Sequence, residues 1–391
     1  MVNAYKTSLL KHLLGFVVLM ASSCLAYADT DTVATDSTSK LQVSGFVSLI
    51  GGKLINDTYP ANYTGLTQMA DVNCPCYIAD WSNKGVYNSS ASFKPESHAG
   101  VQLQYTISPQ FNIVGQVVIR GEDTTPNVTW AYANYKFNEN WELHLGRQRI
   151  PLYYYSPFQD VGFAYPWLSP PPELYGWDAT NYNGASLRYT NSFGSNNLTA
   201  SAFTGEEKIS HSGYFALNYP GNTDVSWSSI VGADAEVNNG PLTLRAVYLQ
   251  ASTNATNLSD PNNLIYQPSK LKAYGLAANL DFDSWFILSE FTQLKRDYNL
   301  AQYTLTAPAA TIGAGLRLGK WTPFLNYATY TEKSTNLAVY SPVTFKRTSL
   351  TLRYDIDSNS DVKAQWDRNL DTTANNGGNV SVIRVSYDRV F

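Results

Sequence analysis

The chain has 391 residues and a formal net charge of −4 at pH 7, with no basic stripe, which argues against a nucleic-acid partner. Past the N-terminal region no apolar run approaches the ~20 residues a membrane-spanning helix requires, so a helical membrane protein is excluded. The aromatic content, 28 Tyr, 16 Phe and 9 Trp against 3 Met, suits a membrane–water boundary, where a ring lies in the interface and its polar tip reaches water; a Tyr-rich soluble β-protein would share it.

Residues 1–28 read as a secretory signal peptide. Lys6 and Lys11 supply the positive front, 13–20 (LLGFVVLM) the short apolar run, and Ala26-Tyr27-Ala28 a small-x-small cleavage site, so cleavage after Ala28 is expected. Cys24 offers a rival reading as a lipoprotein, but Ala21-Ser22-Ser23 lacks the usual leucine. The mature chain would carry 25 basic and 31 acidic residues, a net of −6. Residues 29–39 (DTDTVATDSTS) are polar and read as a disordered lead-in. Residues 40–391 then form one domain.

Alternation of apolar and polar residues places about sixteen strands, at 41–54, 98–106, 111–120, 128–137, 141–149, 182–190, 197–204, 227–237, 242–251, 271–282, 285–295, 311–318, 321–331, 346–356, 360–369 and 379–391. Between the first two lies Cys74-Pro75-Cys76. These cysteines lack zinc-ligand spacing, and the residues leave open a small bridge between them or two thiols paired otherwise. The connections alternate in length without exception. Short ones carry turn residues, such as Ser108-Pro109-Gln110, Asn238-Asn239-Gly240 and Gly319-Lys320. Long polar ones lie between them. Short turns at one end and long loops at the other, with an even strand number, specify an all-β fold: a transmembrane antiparallel β-barrel.

Parity then assigns faces. Val101, Leu103 and Tyr105, Leu244 and Tyr248, Tyr274 and Leu276, and Leu350 and Leu352 form the lipid set. Arg120, Arg188, Arg245, Arg317, Arg347, Arg353, Lys363 and Arg384 fall on the opposite, water-facing parity, because a charge at mid-membrane costs a few kcal/mol. Two places break the pattern. In 141–149 the apolar set runs into Arg147 and Arg149, so either Gly146 makes a bulge or the arginines lie above the membrane. Arg389 shares parity with Phe391, near a rim where it can snorkel.

The segment 146–175 (GRQRIPLYYYSPFQDVGFAYPWLSPPPELY) is dense in proline and rings. It suits a rigid plug against the barrel interior, with an ordered outer lid as the alternative. The chain ends on a half-apolar strand at Phe391, the expected signal for the barrel-assembly machinery.

With the leader, Leu41 to Val47, the Gly146-Arg147 step and Phe391, the chain resembles the Gram-negative porins of the sixteen-stranded trimeric type. The stretch Gly146 to Tyr175 is similar to the same segment in a gammaproteobacterial porin-like group. The resemblance implies an outer-membrane homotrimer surrounded by lipid and lipopolysaccharide. It also implies a third loop, 150–181, folded inward to narrow the channel. Asp160 and Glu173 would form its acidic side and Arg120, Arg147 and Arg149 a basic wall opposite, setting a transverse field. The chain lacks the Pro-Glu-Phe-Gly-Gly sequence of the general porins.

A charged constriction is enough for selective diffusion of small hydrophilic solutes and ions. The inward set, Arg188, Arg245, Arg353 and Arg384 included, outnumbers the inward acids read by parity and leans towards anions; the ring-rich loop could also offer stacking faces to sugars or aromatic acids. The alternative is an adhesin or receptor barrel that uses the long loop 55–97. An enzyme is not expected: His98, His144 and His211 are the mature histidines, and no Gly-x-Ser-x-Gly or phosphate-cradling loop appears. No cofactor or metal is expected either.

Overall fold

The computed structural model describes residues 40–391 apart from 124, 220 and 260–267. The predicted signal peptide and the 29–39 lead-in lie outside the described residues. Sixteen strands form one antiparallel sheet: β1 Leu41–Thr58, β2 His98–Ser108, β3 Phe111–Arg120, β4 Asn127–Lys136, β5 Trp141–Arg149, β6 Asn181–Phe193, β7 Asn196–Ile209, β8 Thr223–Asn239, β9 Leu242–Asn257, β10 Ser269–Asp281, β11 Trp285–Tyr298, β12 Tyr303–Leu316, β13 Trp321–Thr331, β14 Thr344–Asp355, β15 Ser360–Asp371 and β16 Asn379–Val390. Each pairs with the next. A two-residue extension beyond β13, Lys333–Ser334, adds to β12.

β1 closes the sheet. Its first half pairs with β2, from Leu41 opposite Tyr105, and its second with β16, from Phe46 opposite Val390. At the seam Gly45 donates to the Phe391 carbonyl at 2.8 Å and accepts from the Phe391 N–H at 3.0 Å. A Cβ on Gly45 would lie 2.5 Å from the Phe391 ring, so the terminal aromatic seats on a position only glycine leaves open. Closure removes the unpaired edges that an open sheet would present to lipid.

Burial is inverted relative to a soluble protein. Leu276 is 55% exposed and Leu350 53%, whereas Arg347, Asp367, Arg384 and Asp388 are fully buried. The predicted lipid set points out and the predicted polar set points in, as alternation in a barrel wall requires.

Two differences concern strand ends. β12, expected from 311, starts at Tyr303, and β7 and β9 run five and six residues past their predicted ends, to Ile209 and Asn257. Beyond the lipid the ladder continues in water, where charged residues at 205–209 (GEEKI) in β7 and Ser, Thr and Asn at 252–257 (STNATN) in β9 interrupt the apolar alternation. The long first loop holds two small hairpins, Gln68–Met69 with Val72–Asn73 and Tyr77–Asp80 with Gly85–Tyr87, and Cys74 and Cys76 are joined in a disulfide.

Candidate functional site

The segment 150–180 is built of short turns: Ser156–Phe158, Gly162–Ala164 and the one-turn helix α1, Pro172–Tyr175. Pro157 and Pro172 stand in the first turn of their elements, where a missing N–H costs nothing. One side of the segment is aromatic. Tyr153, Tyr155, Tyr165, Trp167 and Tyr175 are buried with Phe203, Trp227, Leu249, Phe286 and Phe324, which point inward from β7, β8, β9, β11 and β13. Trp167 meets Tyr155 and Phe324 edge-to-face at 5.4 and 5.1 Å. Parity gave a polar lumen throughout. The structure shows an apolar arc on these strands, and the aromatic side of the segment covers it.

The other side is polar and meets the charged arc. Arg120 pairs with Asp160 at 2.6 Å, and Arg149 pairs with the same carboxylate. Arg353 donates to the carbonyls of Phe163 and Tyr165 at 2.8 and 3.2 Å, and Lys363 to that of Gly162 at 2.6 Å. Arg384 holds Glu96 at 2.6 Å and Ser169 at 3.1 Å. Arg347 lies 2.9 Å from Glu173. Across the barrel Arg245 donates to the Pro151 carbonyl at 2.5 Å, Arg296 pairs with Asp178 at 2.5 Å, and Glu290 accepts from the Tyr175 hydroxyl at 2.6 Å. The segment is thus tied to inward side chains of β3, β5, β9, β11 and β14–β16. Charge-assisted bonds to backbone carbonyls fix its path without depending on its side chains.

The two acids of the segment respond differently. Burial alone would raise the Asp160 carboxyl, but Arg120 and Arg149 outweigh it and hold Asp160 below the usual carboxylate range. Burial dominates at Glu173, whose carboxyl is raised although Arg347 opposes the shift.

Of the predicted residues, the structure brings Arg120, Arg149 and Asp160 into direct contact. It does not bring Arg147 to that carboxylate: Arg147 forks onto Glu207 at 2.7 and 2.9 Å and donates to the Val128 carbonyl. Glu173 takes Arg347 as partner, and Arg245, Arg353 and Arg384 grip the segment or its neighbours. Arg188 stands apart, towards the short-turn end, exposed and in register with Glu142. The ladder of β5 runs without a register shift on either side, so of the two alternatives the bulge at Gly146 is not the one found. Gly146 instead takes φ +133° within the unbroken ladder. Asp160 touches Arg120 and Arg149, and Glu173 lies beside Arg347.

Sequence reading missed Glu96, Asp178 and Glu207. Asp178 is a third acid of the loop 150–181, a signal that was present; Glu96, beside Pro95 in a polar loop, gave none. Arg120, Arg147, Arg149, Asp160 and Glu207 line one cavity of about 330 Å³.

The family model for Gram-negative porins matches residues 15–388. Among solved structures the chain is similar to OmpT, an outer-membrane protein of Vibrio cholerae (11% identity, 90% of this chain and 99% of that one, TM-score 0.55). It is also similar to the outer-membrane channel DcaP of Acinetobacter baumannii (11%, 90% and 97%, 0.56). A third is the anion-selective porin of Comamonas acidovorans (14%, 90% and 99%, 0.56). No curated protein matches the sequence.

Proposed function

The chain belongs to the Gram-negative porin family, and on that premise we propose that its outer-membrane barrel carries small hydrophilic solutes and ions by passive diffusion through a lumen narrowed by 150–180. The observation that carries this reading is the clamp on that segment: charged side chains from opposite sides of the barrel hold one loop, and Asp160 sits between Arg120 and Arg149. Nothing in the arrangement calls for covalent chemistry; a fixed, charged constriction is sufficient for selection.

We propose a weak anion preference. The lean rests on Arg147 and Arg296, whose side chains are 25% and 10% exposed against 3% and 2% for their partners Glu207 and Asp178; Arg120 and Asp160 are alike at 12% and 11%, and Arg149 and Arg347 are buried. The similar fold of an anion-selective porin is consistent with that lean. A homotrimer, as in the trimer form of Vibrio cholerae OmpT, lipid and lipopolysaccharide around the wall, and export with cleavage after Ala28 complete the proposal. Phe391, seated at the seam, would be what the assembly machinery reads.

The test is the reversal potential in a salt gradient across a planar bilayer. Wild type should conduct ohmically in steps with a small anion bias, and Arg120→Ala should shift the bias towards cations. An unmoved potential would remove Arg120 from the selective wall. A bilayer that stays sealed would favour the adhesin reading.

A further inference from the structure

A second cavity, of about 440 Å³, lies among Trp177, the ends of β11–β13 and the loops beside them. Its lining is unusually rich in rings. Tyr298 stacks on Tyr303 at 4.5 Å with 11° between planes, and Tyr303 on Tyr340 at 5.8 Å and 15°. Tyr298, Tyr340 and Trp177 are only half-buried, so part of each ring borders the cavity. Three charged residues line it: Glu173, Arg296 and Glu332. Arg347 answers Glu173 at 2.9 Å, and Asp178 answers Arg296 at 2.5 Å.

Glu332 is different. It extends the inward parity of Phe324, Asn326, Ala328 and Tyr330 just past β13, and it is buried. One oxygen accepts from the Tyr330 hydroxyl at 2.8 Å, the other from the Tyr340 hydroxyl and the Val343 N–H at 3.0 Å each. Among the described residues no ion pair within 4.0 Å neutralises it. Neutral donors spread a carboxylate's charge but do not cancel it, and burial pushes the Glu332 carboxyl up although those donors and the more distant Arg296, which is committed to Asp178, oppose the shift. We infer that this cavity binds an organic cation of the quaternary-ammonium class, held by the faces of Tyr298 and Tyr340 turned away from Tyr303 and by the charge of Glu332; the Trp177 face is already taken by the Arg296 guanidinium at 5.3 Å. Aromatic faces attract cations most strongly where water is excluded. A quaternary ammonium also suits a carboxylate whose lone pairs already serve three donors, because it brings charge without N–H groups to satisfy. The inference adds a solute class to the channel reading on which it rests.

Choline and its uncharged isostere, 3,3-dimethyl-1-butanol, separate the possibilities. Choline should interrupt the ohmic current of wild type saturably. The isostere should not. Glu332→Gln and Tyr298→Leu should each need about tenfold more choline for the same block, and current in choline-free salt reports that each variant has folded. Titrating choline into the detergent-solubilised protein and following tryptophan fluorescence reads binding without conduction. Equal block by the isostere, an unchanged Glu332→Gln, or a conducting channel on which choline is silent in both assays would overturn the inference. Choline binding to a protein that does not conduct would support the site and overturn the channel reading instead.

Discussion

Asp160 concentrates the electrostatics of the segment in one carboxylate. Two arginines reach it from strands that meet the segment from the same arc, and removing one partner of a buried ion pair costs about 3–5 kcal/mol, because the remaining charges are left uncompensated. Asp160→Asn should therefore lower the stability of the segment's attachment and move the reversal potential further towards anions, since Arg120 and Arg149 would face the lumen unanswered. The pH dependence has a definite sign. The folded-state carboxyl is held below its ordinary value, so its stabilisation is present above an unfolded pKa of about 4 and is lost as pH falls through the lower folded value. Wild-type conductance should show an acid-side change below about pH 4 that Asp160→Asn lacks. A titration of single-channel conductance across that range checks both parts, and an identical acid change in the variant would discard Asp160 as the anchor.

At the level of elements, the segment 150–180 and β5 that leads into it do different jobs. The barrel ladder closes without the segment, since β5 pairs directly with β6 from Arg149 opposite Asn181. Deleting 153–177 should leave a folded barrel with several-fold larger conductance steps; unchanged steps would mean that the segment does not limit flow. β5 is less forgiving. Gly146 holds φ +133°, and a Cβ there would sit 2.2 Å from the Ala131 carbonyl oxygen. Such a backbone costs a non-glycine residue about 1–3 kcal/mol before the clash is counted, so Gly146→Ala should lower the denaturant midpoint in detergent. These elements also mark how far the sequence could be read. Val101-Gln102-Leu103-Gln104 shows a two-sided wall because lipid and water impose opposite demands on neighbouring residues. No such periodic demand acts on Pro170-Pro171-Pro172 or on Glu96. The partners, Arg347 for the adjoining Glu173 and Arg384 for Glu96, lie 174 and 288 residues away in the chain and meet them only through the closed barrel. The resemblance named Arg120 and Asp160 as members of opposite sides, and their direct pairing appears only in the folded chain. Arg147 with Glu207 was not legible, because nothing local distinguishes it from Arg149 two residues on.

The whole molecule is organised by its solvent, and that makes the membrane reading testable by position rather than by chemistry. Leu276, midway along β10, is 55% exposed, and Leu300, between β11 and β12, is 63% exposed. In water two such leucines would be equivalent, and exchanging either for arginine would change stability by no more than about 0.5 kcal/mol. In a bilayer they are not equivalent. Leu276 alternates with Tyr274 and Ala278 on the outer face of a strand, where arginine near the midplane costs about 2–4 kcal/mol. Leu300 sits in a connection beyond the wall, where the charge meets water. Leu276→Arg should therefore lower refolding yield into lipid vesicles sharply, and Leu300→Arg should refold as wild type does. Equal behaviour of the two variants would contradict a lipid-facing β10, whatever the conductance assays show, because the outward parity of every strand rests on the same inversion of burial.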